Sequence, residues 1–202
     1  ERELKKGDVR AVIFEAIQGV GGLDEPSKSF IYDMERLCKQ YEACLIADEV
    51  QSGFGRSGTF FAYQKYKIEP HIVTMAKGMG NGFPIGGILV HPSIEAQYGM
   101  LGTTFGGNHL ACAASVAVLD VLEEEKLQSR ASELEPYFVA QAKNIPEIKK
   151  IKGRGLMLGL EFDFEVGPLR KTLIYDEKIF TGGSSNKNLL RILPPLPVQK
   201  KH

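Results

Sequence analysis

The chain has 202 residues, 43% of them apolar, and its 25 acidic side chains balance 25 basic ones. This length allows one domain or two small ones, and no apolar run is long enough to span a bilayer. The lack of a basic excess argues against a nucleic-acid binder, and the balanced charge fits a protein that acts on small molecules.

The cysteines and the first residues are typical of a cytoplasmic protein. Cys38, Cys44 and Cys112 form no CxxC pair and lie in apolar surroundings, so we expect them to be reduced core residues. The charged start, residues 1–6, contains no apolar leader segment. It also lacks an initiator methionine, and we expect upstream sequence to be absent from this chain.

The first half of the chain alternates short apolar strands with helices. Strands are predicted at residues 9–14, 44–47 and 71–75, and a short helical piece near 60–66. Pro26 and Ser27 can start a helix with an apolar face formed by Phe30, Met34, Leu37, Cys38 and Tyr41. Strands of this kind are typical of a parallel sheet that is covered on both faces.

The second half has a different character. We predict a strand at residues 85–90 and a long Ala-rich helix at 108–126, followed by a helix at 129–144 that is bent or interrupted at Pro136. Short strands are predicted at 148–151, 156–162, 179–180 and 189–193, and a helix at 169–177. The chain is therefore predicted to be α/β, with a mainly parallel sheet in residues 1–126 and a smaller α+β domain in residues 127–202.

Three polar residues stand at the ends of the predicted parallel strands. Glu15, Asp48 and Lys77 follow the first, second and third strands. The carboxyl ends of such strands share one edge of the sheet, where ligands bind. An acid and an amine at one edge suit pyridoxal phosphate, which has a basic ring nitrogen at one end and an aldehyde at the other. Taken singly, Lys77 also fits a surface lysine and Asp48 a turn cap.

Two further segments allow two interpretations each. The segment 102–108 leads into a helix, and its hydroxyls and free N–H groups suit a phosphate, although an ordinary capped loop fits as well. Arg191 lies inside an apolar strand and needs an anionic partner. That partner is either a substrate carboxylate or a structural salt bridge.

Other chemistries find little support in the chain. The Gly-rich segment 80–87 does not match the dinucleotide spacing GxGxxG and is interrupted by Pro84. Ser57 lacks the GxSxG frame of a serine hydrolase. No metal site is predicted, because the four histidines are scattered: His71, His91, His109 and His202.

Four motifs, taken together and in order, resemble the class III pyridoxal-phosphate aminotransferases. They are FEAIQG at residues 14–19, ADEVQSGFGRSG at 47–58, AKGMGNGFPIGG at 76–87 and GTTFGGN at 102–108. Within the family, the chain looks most like the acetylornithine and succinylornithine aminotransferases of arginine biosynthesis. The resemblance implies a fold-type I enzyme that forms a homodimer with both active sites at the interface.

The resemblance also assigns the residues that bind the cofactor. It implies that Lys77 forms the Schiff base with pyridoxal phosphate and that Asp48 holds the ring nitrogen. Val50 would pack on the ring, and Gln51 would bond the phenolic oxygen. Thr104 would reach the phosphate of the neighbouring subunit's cofactor.

The substrate residues follow from the same likeness, with two departures. Arg191 matches the family's carboxylate-binding arginine, Thr103 lies near the substrate, and Glu15 supports the Gln51 region. Ala16 replaces a proline, and Val20 replaces a glutamate that pairs with the arginine as a gate in related enzymes. We therefore expect Arg191 to stay available for carboxylates in both half-reactions, which would favour an acyl group that carries one.

The implied reaction transfers the δ-amine of N-acetylornithine or N-succinylornithine to 2-oxoglutarate. The alternatives are another ω-aminotransferase, acting on ornithine or 4-aminobutyrate, and a non-catalytic fragment or dimerisation module. The fragment stays open because the family's phosphate loop, its ring-stacking aromatic residue and a second substrate-binding arginine are expected upstream of this chain. A mutase and a cofactor-free lyase fit the residues less well.

Overall fold

The computed structural model describes residues 1–202 and contains two β-sheets with helices packed around them. The first sheet has the strand order β1 (Ala11–Phe14), β2 (Cys44–Asp48), β3 (Ile72–Met75) and β4 (Gly87–Val90). β1, β2 and β3 run parallel, whereas β4 is antiparallel to β3. The predicted α/β class with a mainly parallel sheet is therefore confirmed.

Helix α1 (Lys28–Gln40) connects β1 to β2 and is capped by Ser27, whose hydroxyl accepts a hydrogen bond from the Phe30 amide. Its buried residues are Ile31, Met34 and Cys38. The prediction that Phe30 faces the core is wrong, since its side chain is 59% exposed. Ile31 takes that place, because the spacing of Ile31, Met34 and Cys38 keeps three side chains on one stripe of the helix.

The second sheet is antiparallel and contains β5 (Lys150–Arg154), β6 (Met157–Glu161) and β7 (Leu189–Ile192) in that order. It is accompanied by the helices α2 (His109–Glu124), α3 (Leu127–Ala142) and α4 (Gly167–Tyr175). Three short 3₁₀ helices complete the chain: Leu4–Lys6, Ala62–Tyr66 and Lys77–Met79.

Two predictions in the second half need correction. The strand at residues 179–180 is not formed, and the only pairing nearby is a single bridge between Gly182 and Arg191. Exposure explains this, because Phe180 is directed outward and offers no apolar face for a strand to bury. Pro136 lies inside α3 without interrupting it, so the predicted interruption is wrong and a bend there stays a prediction.

The main hydrophobic core joins the two halves of the chain. It contains Ile31 and Leu45 from the first half and Met157 and Leu189 from the second sheet. The predicted domain boundary near residue 126 stays a prediction, although Lys126 adopts a left-handed conformation (φ 51°) between α2 and α3.

Part of the first sheet is uncovered, contrary to the expectation that both faces are buried. The strand β1 alternates, with Val12 and Phe14 against the core and Ile13 61% exposed. Cys112 on α2 is exposed, so the prediction that it is a core residue is wrong, whereas Cys38 is buried. None of the helices is both long and apolar enough to cross a membrane.

Candidate functional site

The structure brings the three polar residues after β1, β2 and β3 to one edge of the first sheet. Glu15 follows β1 directly, Asp48 is the last residue of β2, and Lys77 comes two residues after β3. Asp48 pairs with Thr74 across the β2–β3 ladder. Because the strands are parallel, their carboxyl ends point the same way, as predicted from the order of elements.

Asp48 is half-buried and oriented by two hydrogen bonds to one of its oxygens. Its Oδ1 accepts from the Val50 amide at 3.0 Å and from Thr74 Oγ1 at 3.3 Å. No donor of the chain reaches the other oxygen, Oδ2. The carboxylate is thus held in place with one oxygen left to accept a hydrogen bond from a ligand.

Lys77 has an unusual backbone conformation for a residue with a long side chain. Its φ is 44°, in the left-handed region that L residues adopt at a cost of about 1–2 kcal/mol. The residue starts the 3₁₀ turn Lys77–Met79, which the amides of Met79 and Gly80 close onto Ala76 and Lys77. Its side chain is exposed and makes no salt bridge. Lys67, Lys126 and Lys178 have the same conformation, so what distinguishes Lys77 is its place at the sheet edge.

Lys77 and Gln51 line the same cavity, which has a volume of about 490 Å³. The opposite wall consists of apolar residues of α2, such as Ala114 and Val118, and of the segment 193–197. This volume lies in the range of small-molecule sites. Asp48 and Val50 are not among the residues that line it.

Gln51 belongs to a network that links three elements. Arg191, on β7, donates from Nη1 to Gln51 Oε1 at 3.0 Å and to the Gly19 carbonyl at 3.2 Å. The Gly19 amide in turn donates to Glu15 Oε2 at 2.7 Å. Since Gln51 accepts through Oε1, its amide nitrogen remains free to donate to a ligand.

Gly19 is needed for this arrangement because Gln51 packs directly on its backbone. A Cβ at residue 19 would lie 2.6 Å from both Oε1 and Nε2 of Gln51. Any larger residue would therefore push the Gln51 amide away from Arg191. Glu15, one residue beyond the strand pairing, accepts from the Gly19 amide and so acts on Gln51 only indirectly.

Arg191 has no carboxylate within salt-bridge distance, so the structural salt bridge considered from the sequence is not formed. Burial lowers the pKa of its guanidinium, with a further lowering from Arg170 and an opposing effect of Glu15. The side chain is half-buried, and its guanidinium forms no ion pair within the chain. Val20, beside Gly19, is 60% exposed and carries no charge that could pair with Arg191.

Glu49 is a residue whose importance the sequence interpretation missed. Only 1% of it is exposed, and its carboxylate accepts from the Ser52 hydroxyl at 2.7 Å and from the amides of Ala62 and Tyr63 at 2.9 and 2.8 Å. The last two bonds cap the 3₁₀ helix Ala62–Tyr66. The available signal was the alternation of buried residues along β2, which continues from Leu45 and Ala47 to Glu49.

The segment 102–108 is exposed and does not reach the cavity within this chain. Thr103 Oγ1 accepts from the Gly106 amide at 3.1 Å, and Asn108 caps α2 by accepting from the Ala111 amide at 3.0 Å. Thr104 makes no side-chain hydrogen bond. The two threonines are therefore exposed, and neither lines the cavity that Lys77 lines.

Comparison with known sequences identifies relatives along the whole chain. The profile of a family described as aminotransferase class-III matches residues 1–202. The acetylornithine aminotransferase of Aquifex aeolicus is 42% identical over 207 residues, which cover 99% of this chain and 52% of that protein. The chain thus spans about half the length of the curated relatives it matches.

Solved structures agree with the sequence relatives. An acetylornithine aminotransferase from Elizabethkingia anophelis superposes with a TM-score of 0.86 at 30% identity, covering 99% of this chain and 55% of that one. The ornithine aminotransferase of Toxoplasma gondii, crystallised with partial occupancy of PLP at its active site, gives 0.85 at 30% identity, covering 99% and 50%. These likenesses confirm the fold-type I architecture predicted for this part of the molecule.

Proposed function

The chain belongs to the class III aminotransferases, a family that depends on pyridoxal phosphate, and we propose that the full-length protein transfers the δ-amine of N-acetylornithine to 2-oxoglutarate. The N-succinyl compound is the alternative form of the same donor. One observation carries the proposal: a strained, unpaired lysine and an oriented aspartate occupy the same sheet edge. The products would be the acylated semialdehyde and glutamate.

The residues at the sheet edge fit pyridoxal phosphate. Asp48 keeps one carboxylate oxygen free of protein donors, which suits a protonated ring nitrogen. Gln51 keeps its amide nitrogen free for the phenolic oxygen, while Arg191 holds its other atom. Lys77 offers an unpaired amine on the wall of a cavity of about 490 Å³. Val50 is the residue we assign to packing on the ring.

When bound, the cofactor supplies an electron sink for the bond that breaks at the amine-bearing carbon of the substrate. Asp48 would hold the ring nitrogen through its carboxylate, and a charged hydrogen bond of this kind contributes about 1.5–3 kcal/mol. Lys77 would serve as the proton carrier: its Nζ amine would take the proton from the amine-bearing carbon of the substrate and deliver it to the aldehyde carbon of the cofactor. The left-handed backbone conformation of Lys77 sets the direction in which its side chain leaves the main chain.

We further propose that the full-length protein forms a homodimer and is located in the cytoplasm. Thr104 and Thr103 are exposed, and neither lines the cavity beside the Lys77 of their own chain. In the proposed dimer, Thr104 binds the phosphate of the cofactor in the neighbouring subunit and Thr103 lies near that subunit's substrate. Phe105 and Leu110 are also exposed beside them, and burying such apolar side chains would favour the association.

Arg191 is assigned to the substrate carboxylate because it is half-buried and no acid of the chain neutralises it. Ornithine is the second candidate donor, since the Toxoplasma gondii neighbour is an ornithine aminotransferase. A panel of N-acetylornithine, N-succinylornithine, ornithine and 4-aminobutyrate, each with 2-oxoglutarate and the full-length holoenzyme, separates these donors. The proposal requires the highest kcat/KM for an acylated ornithine, and a preference for free ornithine would replace it.

Donor choice should respond to a carboxylate at residue 20. Val20 follows Gly19, whose carbonyl accepts from Arg191, so a glutamate there can compete for the guanidinium. In Val20→Glu, we expect the ratio of kcat/KM for succinylornithine over acetylornithine to fall by up to about fivefold, because a partly exposed ion pair contributes about 0.2–1 kcal/mol.

Val20→Gln is the matched control, since it has nearly the same size without the charge. It should leave the ratio of the two donors where it stands in the natural protein. An equal ratio in the natural protein and in Val20→Glu would sink the idea that residue 20 controls access to Arg191.

A further inference from the structure

Two arginines flank the short segment Thr181–Gly183. Arg191 forms a bridge with Gly182, and a Cβ added to Gly182 would lie 3.1 Å from Arg191 Nε. Arg170, on α4, donates from Nη2 to the Thr181 carbonyl at 3.2 Å, and a Cβ at Gly183 would lie 2.8 Å from its Nη1. The two guanidinium groups therefore pack against consecutive glycines, Gly182 and Gly183, of one segment.

Neither guanidinium forms a salt bridge, although Glu15 lies close enough to oppose part of the lowering of the Arg191 pKa. The salt bridges of the molecule involve Arg2, Arg36, Arg130 and Arg154 among its arginines, but not Arg170 or Arg191. Arg170 contributes to the lowering of the Arg191 pKa, as expected for two cations that interact. Two positive charges held close together, with no carboxylate in a salt bridge to either, raise the affinity of this part of the molecule for an anion.

Polar atoms around the pair also lack partners. Arg170 Nε, Arg191 Nε and Thr181 Oγ1 are all buried without a hydrogen bond. Buried donors are rarely left without a partner unless a ligand or a function requires it. Three such atoms beside one segment indicate that this part of the molecule has a functional role.

We propose that Arg170 is a positioning residue that adds a second positive charge behind Arg191 and thereby selects substrates with two carboxylates. The proposal rests on the proposed function, in which Arg191 binds a substrate carboxylate. Arg170 itself acts through Arg191 and through the segment Thr181–Gly183, and it need not touch the substrate. The dicarboxylate 2-oxoglutarate should gain more from this charge than a donor with one carboxylate.

The simplest competing role for Arg170 is mechanical, because its hydrogen bond to Thr181 could merely hold the segment in place. Charge and hydrogen bonding can be separated by two substitutions. Arg170→Gln keeps a donor for the Thr181 carbonyl and loses the charge, whereas Arg170→Lys keeps both. Lys171→Gln is the matched control, since Lys171 is the exposed neighbour on the same helix.

The experiment measures kcat and KM for 2-oxoglutarate and for the amino donor with each full-length holoenzyme. We expect Arg170→Gln to raise KM for 2-oxoglutarate by about tenfold, with kcat and the KM for N-acetylornithine, a donor with one carboxylate, changed by less than about twofold. Arg170→Lys should restore most of the loss, and Lys171→Gln should behave like the natural protein. Unchanged KM in Arg170→Gln, or an equal defect in Arg170→Lys, would overturn the proposal.

Arg191→Leu separates this inference from the proposed function. If Arg191→Leu raises KM for 2-oxoglutarate while Arg170→Gln does not, the carboxylate site stands and only the role of Arg170 is rejected. If Arg191→Leu leaves KM unchanged, the assignment of Arg191 to the substrate carboxylate fails first. A difference in thermal stability between Arg170→Gln and Arg170→Lys would be visible in parallel melting curves.

Discussion

Replacing Lys77 by alanine is expected to lower kcat/KM of the full-length enzyme by about 10³-fold, because positioned acid–base groups contribute about 10²–10⁴-fold. The substitution removes the amine to which we assign proton transfer at the substrate carbon. We expect Asp48, Gln51 and Arg191 to stay in place, since none of them forms a hydrogen bond or salt bridge with Lys77. The measurement is steady-state kinetics with an acylated ornithine and 2-oxoglutarate.

Lys67→Ala provides a closely matched control. Lys67 is also an exposed lysine in the left-handed region, with φ 56° against 44° for Lys77, and it lies at the end of a 3₁₀ helix away from the cavity. Both substitutions thus remove the same side chain from the same strained backbone conformation. Equal losses of activity in the two variants would contradict a special role for Lys77.

The second large effect is on stability and concerns Glu49. In Glu49→Ala, the amides of Ala62 and Tyr63 and the Ser52 hydroxyl lose their buried acceptor. We expect the free energy of unfolding to fall by about 3–4 kcal/mol, because buried hydrogen bonds to a charged group contribute about 1.5–3 kcal/mol and their donors would be left unsatisfied. Urea denaturation of the full-length protein measures the change, with the exposed Glu69→Ala as control.

Glu49 should also give stability a dependence on pH. Burial raises the pKa of its carboxyl above the ordinary value, and this effect exceeds the opposing hydrogen bonds from Ser52 and from the two amides. The folded state therefore holds the proton more tightly than the unfolded state does. The contribution is fully present below the ordinary carboxyl pKa and is lost as pH rises through the raised one.

Glu49→Gln isolates this dependence because glutamine does not titrate. The stability of the natural protein relative to Glu49→Gln should decline as pH rises from the ordinary carboxyl pKa through the raised value, and then level off. A relative stability that instead increases with pH over this interval would mean that the hydrogen bonds dominate over burial.

The sequence allows the sheet edge to be predicted because each apolar strand, and the polar residue that follows it, is visible in a short stretch of sequence. Short apolar runs, each ending in a polar residue, are enough to put Glu15, Asp48 and Lys77 on one edge, and the structure has them there. The parallel direction follows from the helices between the strands. The roles of these residues, by contrast, come from the likeness to a family and remain predictions.

Features that depend on packing could not be predicted in the same way. Phe30 and Ile31 are adjacent, so the helical pattern allows either to face the core, and only the packing against the sheet selects Ile31. Cys112 lies in an Ala-rich helix that reads as buried although most of that face is exposed. Arg170 and Arg191 lie close together because α4 and β7 come together in the fold. The spacing of residues along the sequence does not indicate that proximity.

The most direct test of the account is to identify the lysine that holds the cofactor. The full-length holoenzyme is reduced with sodium borohydride, which makes the bond between pyridoxal phosphate and its lysine permanent, and is then digested and mapped by mass spectrometry. The account predicts that the reduced cofactor is found on Lys77, within the peptide that contains Ala76-Lys77-Gly78. Attachment to any other lysine, or no attached cofactor at all, would contradict it.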